Sequence, residues 1–249
     1  MIKRFSFFIS VLCILMMLMV DAHAQEKVVT LASLDWEPYI GSKIPNNGYC
    51  AQIAVEAFKR SGYTVKIAYL PWERAVKESE TGNYDGLFPE YIDEGRKVKF
   101  VYSDSFPGGP VGLMKRKDKA ITFKTIQDLK PYTIGVVRGY INTAEFDAAA
   151  YLKKTQSEGD DVNIKNLYNK QLDLIFIDQY VAQYIIKTQY PKYASELEFM
   201  KPALEKKDLY IAFSKKGKDS EAKRKAFNSG LKAMKADGTL QRIVSGAAK

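Results

Sequence analysis

The side chains that enzymes most often use for nucleophilic or metal chemistry are scarce in this sequence. It has one histidine, His23, and two cysteines, Cys13 and Cys50. His23 and Cys13 fall within the first 24 residues, which carry the pattern of a removable leader. A chain that keeps only Cys50 cannot form a histidine-based triad, a histidine-ligated zinc site or an internal disulfide. Carboxylates and lysines remain the groups available for chemistry.

The leader pattern has three parts. Lys3 and Arg4 supply positive charge, residues 5–20 are uncharged and mostly apolar, and residues 22–24 form an Ala-x-Ala cleavage signal. The apolar run is shorter than the roughly 20 residues that a membrane-spanning helix needs. We therefore expect residues 1–24 to be a signal peptide and the mature protein to be periplasmic. A retained membrane anchor is the alternative.

Composition places the rest of the chain among ordinary globular proteins. Hydrophobic residues make up 46% and charged residues 27% of the sequence, which excludes a disordered, collagen-like or multi-span membrane protein. The net charge is +9 at pH 7, but the lysines are spread along the chain without a dense basic stripe. No nucleic-acid-binding motif accompanies them, so we expect no nucleic-acid partner.

Strand and helix patterns alternate along the chain. Strands are predicted over 28–32, 65–69, 133–137, 173–177 and 209–214, with a short one starting at Leu87. Helices are predicted over 51–60, 72–80, 179–187 and 220–236, with another starting near 142. Two βα modules without a Pro/Ser-rich linker predict two lobes that are joined by ordinary strands.

Several short motifs follow one another in order. They are Trp36-x-Pro38-Tyr39, Tyr84-Asp85-Gly86, Arg96 followed by Tyr102-Ser103-Asp104, Gly135-Val136-Val137-x-Gly139, Asp173-x-x-Phe176-x-Asp178 and Phe227-Asn228-x-x-Leu231-x-x-Met234-x-x-Asp237-Gly238-Thr239. In this order and spacing the chain resembles the bacterial extracellular solute-binding proteins of family 3, the periplasmic receptors for polar amino acids that feed ABC importers. The resemblance covers essentially the whole mature chain.

The resemblance implies an α/β protein with the type II periplasmic-binding-protein fold, in which two α/β lobes are joined by two hinge strands with a ligand cleft between them. We expect lobe 1 to comprise residues 25–109 and 211–249, and lobe 2 to comprise residues 110–210. The implied function is a monomeric receptor, without cofactor, metal or catalytic activity. It would capture a small polar solute, an amino acid or related small acid, and deliver it to the membrane permease of an ABC importer.

Two other functions stay open on the same fold. The first is a ligand-sensing module that engages a membrane signalling receptor by the same lobe closure. The second is enzymatic, since the fold hosts dehydratases and lytic transglycosylases. In that case Glu37, Glu73 or Glu90 is the candidate general acid, provided that it is buried.

The resemblance also places charged ligand contacts on opposite lobes. Arg96 occupies the position of the family's carboxylate-binding arginine, and Asp178 matches its amine-binding aspartate. A ligand that touches both stabilises the closed form over the open form. Trp36 and Trp72 fall where the family flanks the ligand side chain, and Tyr39 is a third candidate wall residue. For these aromatic residues, plain core packing is the alternative.

Further candidate contacts lie beside these positions. The backbone of Gly139, Tyr140 and Asn142, between a strand and a helix start, is a candidate anion site, with an ordinary helix cap as the alternative. Arg74 and Arg138 are candidate second cations, and a more acidic ligand would follow if either faced the cleft.

The segment before Arg96 departs from the family pattern. Pro89, Tyr91 and Asp93 stand where hydroxyl residues are usual, and Tyr91 is kept as a candidate ligand contact. Asp93 and Glu94 are close enough in sequence to neutralise Arg96, which would make it a structural ion-pair residue. These departures predict a ligand other than a standard α-amino acid.

Overall fold

The computed structural model describes residues 26–247. The expected signal peptide, residues 1–24, lies outside the described residues. Among residues 26–247, no helix combines the length and the apolar character needed to cross a membrane.

The described chain alternates strands and helices. The strands are β1 (Lys27–Ser33), β2 (Tyr63–Tyr69), β3 (Gly86–Glu90), β4 (Phe100–Tyr102), β5 (Pro110–Arg116), β6 (Thr133–Val137), β7 (Lys153–Ser157), β8 (Leu174–Asp178), β9 (Leu197–Phe199), β10 (Glu205–Lys206) and β11 (Tyr210–Ser214). The helices are α1 (Gly48–Lys59), α2 (Trp72–Thr81), α3 (Ala144–Ala148), α4 (Asp160–Tyr168), α5 (Gln179–Thr188), α6 (Ser220–Ala236) and α7 (Thr239–Ala247).

The first sheet has the order β2-β1-β3-β11-β4. β1 runs parallel to β2 and β3, while β11 is antiparallel to β3 and β4. On one face Val29 and Leu31 pack with Phe58 of α1, and on the other Ala32 packs with Ala75 of α2. A sheet covered on both faces requires apolar residues on both sides of its central strands, which explains the continuous apolar end of β1.

The second sheet has the order β10-β5-β8-β6-β7, with β9 paired to β5. β6 is parallel to β7 and β8, while β5 is antiparallel to β8. Ile134 and Phe176 pack with Phe146 of α3 on one face, and Ile175 belongs to the core on the other face with Ile164 of α4. We call the first sheet with α1, α2, α6 and α7 lobe 1, and the second sheet with α3, α4 and α5 lobe 2.

The chain passes between the two sheets twice. The first passage lies between β4 and β5 and the second between β10 and β11. The two passages pair with each other, since the N–H of Phe106 donates to the carbonyl of Leu209 and the reverse bond also forms, both at 2.9 Å. The N–H of Lys207 donates to the carbonyl of Gly109, also at 2.9 Å. Two short paired strands are the usual form of a hinge that lets lobes rotate.

Helix α6 returns the end of the chain to lobe 1. Phe227, Leu231 and Met234 recur at helical spacing and are all buried. Gly230 lies against α1 so closely that a Cβ there would be 1.9 Å from the carbonyl oxygen of Ala57. The two helices therefore need glycine at this crossing.

The sequence predicts α6 over the range that is observed, 220–236, but it does not predict β7 or α4. β7 has the sequence KKTQS, is mostly exposed and lies at the edge of the second sheet, so no apolar alternation marks it. The helix expected near residue 142 is α3, and the hydroxyl of Thr143 caps it by accepting the N–H of Phe146 at 3.3 Å.

Candidate ligand-binding cleft

The space between the lobes lies at the carboxyl ends of the parallel strands, where ligands bind in open α/β sheets. Lobe 1 contributes the turn after β1 and the end of β3, and lobe 2 contributes the residues that follow β6, β7 and β8. The polar and aromatic side chains that meet there are Trp36, Tyr39, Trp72, Glu90, Tyr91, Arg96, Tyr140, Asp160 and Asp178.

The turn after β1 places two aromatic residues against lobe 2. The rings of Trp36 and Tyr39 are stacked, with centroids 4.5 Å apart. Trp36 Nε1 donates to Asp160 Oδ2 at 3.2 Å, and the Tyr39 hydroxyl donates to Asp178 Oδ2 at 2.8 Å. Both rings are buried, and each bridges the lobes through its polar tip. Polar tips of this kind need a partner when the ring is buried.

Asp178 is held from both lobes. As the N-cap of α5 it accepts through Oδ1 the N–H groups of Tyr180 at 2.8 Å and Val181 at 3.2 Å. Its Oδ2 accepts the hydroxyls of Tyr39 and Tyr91, the latter at 3.3 Å. Burial nevertheless raises the pKa of Asp178 to about 6, against the lowering effect of these hydrogen bonds.

A second buried carboxylate, Asp160, lies at the start of α4. Its Oδ2 accepts Trp36 Nε1 and the hydroxyl of Tyr140, the latter at 3.3 Å. Burial, and then the nearby charge of Asp178, raise the pKa of Asp160 to about 7. No donor among the described residues reaches its other oxygen, Oδ1.

Arg96 reaches the cleft but is already ion-paired. Its Nη1 donates to Glu90, whose side chain is 2% exposed at the end of β3, and its Nη2 donates to the carbonyl of Gly139 in lobe 2. The carboxylate that neutralises Arg96 is therefore Glu90. Asp93 instead accepts the backbone N–H of Arg96 at 2.8 Å, and Glu94 pairs with Lys97.

Glu90 lies fully within the protein beside this guanidinium. Burial raises the pKa of Glu90 to about 7, and the charge of Arg96 opposes that rise. Of the three candidate acids, Glu90 is the one that is buried. Glu37 is half-buried, and the side chain of Glu73 is 67% exposed.

The backbone after β6 does not offer the expected anion site. Gly139 adopts a φ of 78° and turns its carbonyl toward lobe 1, where it accepts Trp72 Nε1 at 3.0 Å as well as Arg96. Asn142 donates its backbone and side-chain N–H groups to Asp147, at 2.8 and 2.7 Å. The donors of Asn142 are thus taken by the carboxylate of Asp147 in α3, and Gly139 presents an acceptor to the cleft.

The two candidate second cations lie outside the cleft. The Arg74 side chain is 66% exposed and lies 4.0 Å from Glu78 on its own helix. Arg138 Nη1 lies 3.7 Å from Glu73 of lobe 1, with both side chains about half or more exposed. A more acidic ligand was expected only if Arg74 or Arg138 faced the cleft, and neither does.

The cleft has a narrow inner part and a wide mouth. The inner part, of about 30 Å³, lies among Trp36, Trp72, Glu90, Tyr91 and Tyr140. The mouth has a volume of about 620 Å³, within the range of small-molecule sites. It shares Trp36, Trp72 and Tyr140 with the inner part, so the two are continuous. Its charged lining residues are Asp35, Glu37, Lys43, Glu158, Asp160 and Asp161.

The roles of two carboxylates at this cleft are not predicted from the sequence. Asp160 follows β7, and recognising that polar strand would have placed an acidic helix start at the same sheet edge as Asp178. Glu90 ends β3 six residues before Arg96, and the sequence predicts it as a candidate general acid rather than as the partner of that guanidinium.

Two α/β lobes, paired hinge segments and a polar cleft at the strand ends define a two-lobed binding protein with the type II periplasmic-binding-protein fold. The chain belongs to the bacterial extracellular solute-binding proteins, family 3, whose family model matches residues 31–246.

Individual relatives are distant. The L-cystine-binding protein TcyJ of Escherichia coli K12 is 22% identical over 204 residues, covering 79% of this chain and 72% of its own. An ancestral arginine-binding protein bound to arginine superposes with a TM-score of 0.75 at 21% identity, covering 89% of this chain and 98% of its own. A histidine kinase sensor domain with similarity to periplasmic binding proteins has a TM-score of 0.78 at 16% identity, covering 90% and 96%. At these identities the two superpositions show the shared fold.

Proposed function

We propose that this protein is a periplasmic receptor that captures a small polar solute by closure of its two lobes and delivers it to the permease of an ABC importer. The observation that carries the proposal is that polar groups of each lobe reach the other across one cleft. Trp36 and Tyr39 of lobe 1 donate to Asp160 and Asp178 of lobe 2. Family membership and the arginine- and cystine-binding relatives support an amino-acid-like solute.

Closure is the physical basis of the signal. A solute that contacts both lobes stabilises the closed arrangement by its differential affinity for that arrangement. The pairing of Phe106 with Leu209 keeps the two hinge segments together, so the lobes can rotate without separating. A permease that docks on both lobes then distinguishes loaded from empty receptor.

The proposed receptor binds without turnover. Glu90 has the burial that a general acid needs, but its carboxylate is paired with Arg96. A role in proton transfer would require that pair to break. The signal-peptide pattern of residues 1–24 supports export, and the family is one of extracellular proteins.

A sensory role is the second candidate, and one observation favours it. The histidine kinase sensor domain covers 90% of this chain with a TM-score of 0.78. Sensor and importer receptor use the same closure and differ in the membrane partner that detects it.

The test is calorimetric titration of the mature protein, residues 25–249, with a panel of amino acids, amines and small acids. We expect one-to-one binding and unchanged solute after incubation, as measured by mass spectrometry. Conversion of the solute to a product would contradict the receptor function, and so would the absence of binding by every member of the panel. Uptake of the labelled solute by cells that lack the gene then separates the two roles, because an importer receptor predicts lost uptake and a sensor predicts normal uptake.

A further inference from the structure

We infer that the cleft binds an organic cation through Asp160, and that the cation does not need a carboxylate of its own. This inference rests on the proposed function, because it names the class of solute for the same cleft. It differs from an amino-acid site in assigning no ligand contact to Arg96.

The charges inside the cleft do not balance. Glu90, Asp160 and Asp178 are each at most 7% exposed, and of these three carboxylates Glu90 is the one that Arg96 contacts. Arg96 and Glu90 form a pair and cancel each other. Two buried carboxylates, Asp160 and Asp178, are left without a cationic partner among the described residues. Charges that are buried in this way are normally paired, so the missing partner is a cation.

Asp160 supplies the vacant acceptor. Its Oδ2 is taken by Trp36 and Tyr140, whereas Oδ1 accepts nothing from the described residues. Asp160 also lines the wide mouth of the cleft. An ammonium or guanidinium group in that mouth would form a charge-assisted hydrogen bond to this oxygen.

The other cationic side chains near the cleft form no ion pair with Asp160 or Asp178. Arg138 lies 3.7 Å from Glu73 at the rim. Lys207 Nζ is 5.3 Å from the centre of the Tyr91 ring but lies 3.3 Å from Glu205. Lys43 lines the mouth together with Asp35, Glu37, Glu158, Asp160 and Asp161, and Asp161 is paired with Lys165 at 3.1 Å. The mouth is therefore acidic although the whole chain carries a net charge of +9, and its field attracts cations.

Aromatic rings complete a site for a cation. Trp36, Trp72 and Tyr140 line the mouth together with Asp160. Tyr140 meets Trp72 edge-on, at 5.9 Å between ring centroids. Ring faces beside carboxylates bind ammonium and guanidinium groups through cation–π attraction.

Arg96 is held away from a ligand carboxylate by its own partners. Glu90 has a side chain that is 2% exposed, so withdrawing the guanidinium would leave that carboxylate buried without a counter-charge. The second side of the guanidinium donates to the Gly139 carbonyl. A ligand carboxylate would therefore have to displace both partners of Arg96 before it was bound.

Matched pairs of ligands test the inference on the unmodified mature protein. Calorimetry compares agmatine with L-arginine and cadaverine with L-lysine, two pairs that differ by one carboxylate, with L-glutamate as the acidic probe. We expect at least one amine to bind as tightly as its parent amino acid, within about threefold, or more tightly, and L-glutamate not to bind.

If both amino acids bind more than about threefold tighter than their amines, the inference is overturned and the proposed function stands. Binding of only acidic or neutral solutes from the wider panel would also overturn the inference and leave the proposed function standing. If no solute of any class binds, both the inference and the proposed function fail.

Two variants locate the contacts. Asp160→Asn is expected to weaken binding of the amine by about tenfold or more, because it removes a charge-assisted hydrogen bond. Glu90→Gln releases Arg96 and is expected to shift the ratio of affinities toward the amino acid by about tenfold. Glu221→Gln is the control for Asp160→Asn, since Glu221 is also in the first turn of a helix but lies on α6, paired with Arg224.

Equal affinities for the amine in Asp160→Asn and Glu221→Gln would overturn the role of Asp160. An unchanged ratio in Glu90→Gln would overturn the role given to the Arg96–Glu90 pair. The melting temperature of each variant is measured first, and affinities are compared at a temperature at which both variants are folded. If a variant fails to fold, the matched ligand pairs on the unmodified protein still test the inference.

Discussion

Asp160 and Asp178 give the cleft its chemistry at the scale of single residues. Burial raises their pKa values to about 7 and about 6, and Glu90 beside Arg96 is also raised to about 7. Each carboxyl group therefore binds a proton more readily in the folded than in the unfolded chain. The stabilisation that this supplies is fully present below the ordinary carboxyl pKa near 4 and is lost as pH rises through 6 and 7.

We predict that the melting temperature of the ligand-free mature protein falls between pH 5 and pH 8. Loss of the expected signal peptide removes His23, the one histidine of the sequence. No unperturbed side chain of the mature protein then titrates in this range, so the buried carboxylates dominate the change. Asp160→Asn should flatten the slope and melt about 2–4 °C higher than the unmodified protein at pH 8. Calorimetric melting across pH measures both effects.

A melting temperature that rises over this interval would contradict these protonation states. Equal slopes for Asp160→Asn and the unmodified protein would also contradict them. Glu221→Gln serves again as the control, because Glu221 is exposed and its pKa is lowered by Arg224.

Motifs in the sequence mark some of the residues that line or border the candidate cleft. Trp36 and Asp178 lie in recognisable fragments after predicted strands, and the structure places both between the lobes. The pairing of Arg96 with Glu90 could not be read from sequence, because the choice among three nearby carboxylates depends on which of them is buried. The sequence places Asn142 between a strand and a helix start, but its side chain donates to Asp147 of α3.

At the scale of elements, apolar periodicity decided what could be predicted. Amphipathic α6 and the buried strand β6 match their predicted ranges, 220–236 and 133–137. Strand β7 is at the edge of its sheet, and its side chains are mostly exposed and polar, so its sequence resembles that of a loop. Because the sequence does not predict β7, it also does not predict α4, which follows it and begins at Asp160.

The first hinge segment is an element that controls closure. A Cβ added at Gly109 would lie 2.0 Å from the Tyr39 hydroxyl oxygen and 2.8 Å from Asp178 Oδ2. We predict that Gly109→Ala separates these two groups, favours the open form and weakens solute binding by about tenfold, the effect of losing one hydrogen bond to a charged group.

Titration calorimetry and solution scattering check this prediction. Scattering should give a larger radius of gyration for Gly109→Ala with the solute present. Gly246→Ala is the control, because a Cβ at Gly246 meets nothing within 4 Å and the residue lies in α7, away from the hinge. Equal affinities in the two variants would show that the Tyr39–Asp178 contact does not govern closure.

At the scale of the whole molecule, the chain is basic while its cleft is acidic. The net charge of +9 is spread over the surface, whereas the mouth of the cleft carries Asp35, Glu37, Glu158 and Asp161 around Asp160. The overall charge is therefore a poor guide to the solute. What selects the solute in this account is the local imbalance left when Arg96 pairs with Glu90.

The most direct test of this account is a crystal structure of the mature protein with its tightest-binding solute. We predict that the solute lies between the lobes, within hydrogen-bonding distance of Asp160 and beside the ring of Trp36. A solute that contacts one lobe alone, or that lies in the separate groove of lobe 2 formed by residues 120–124 and 198–204, would refute this prediction.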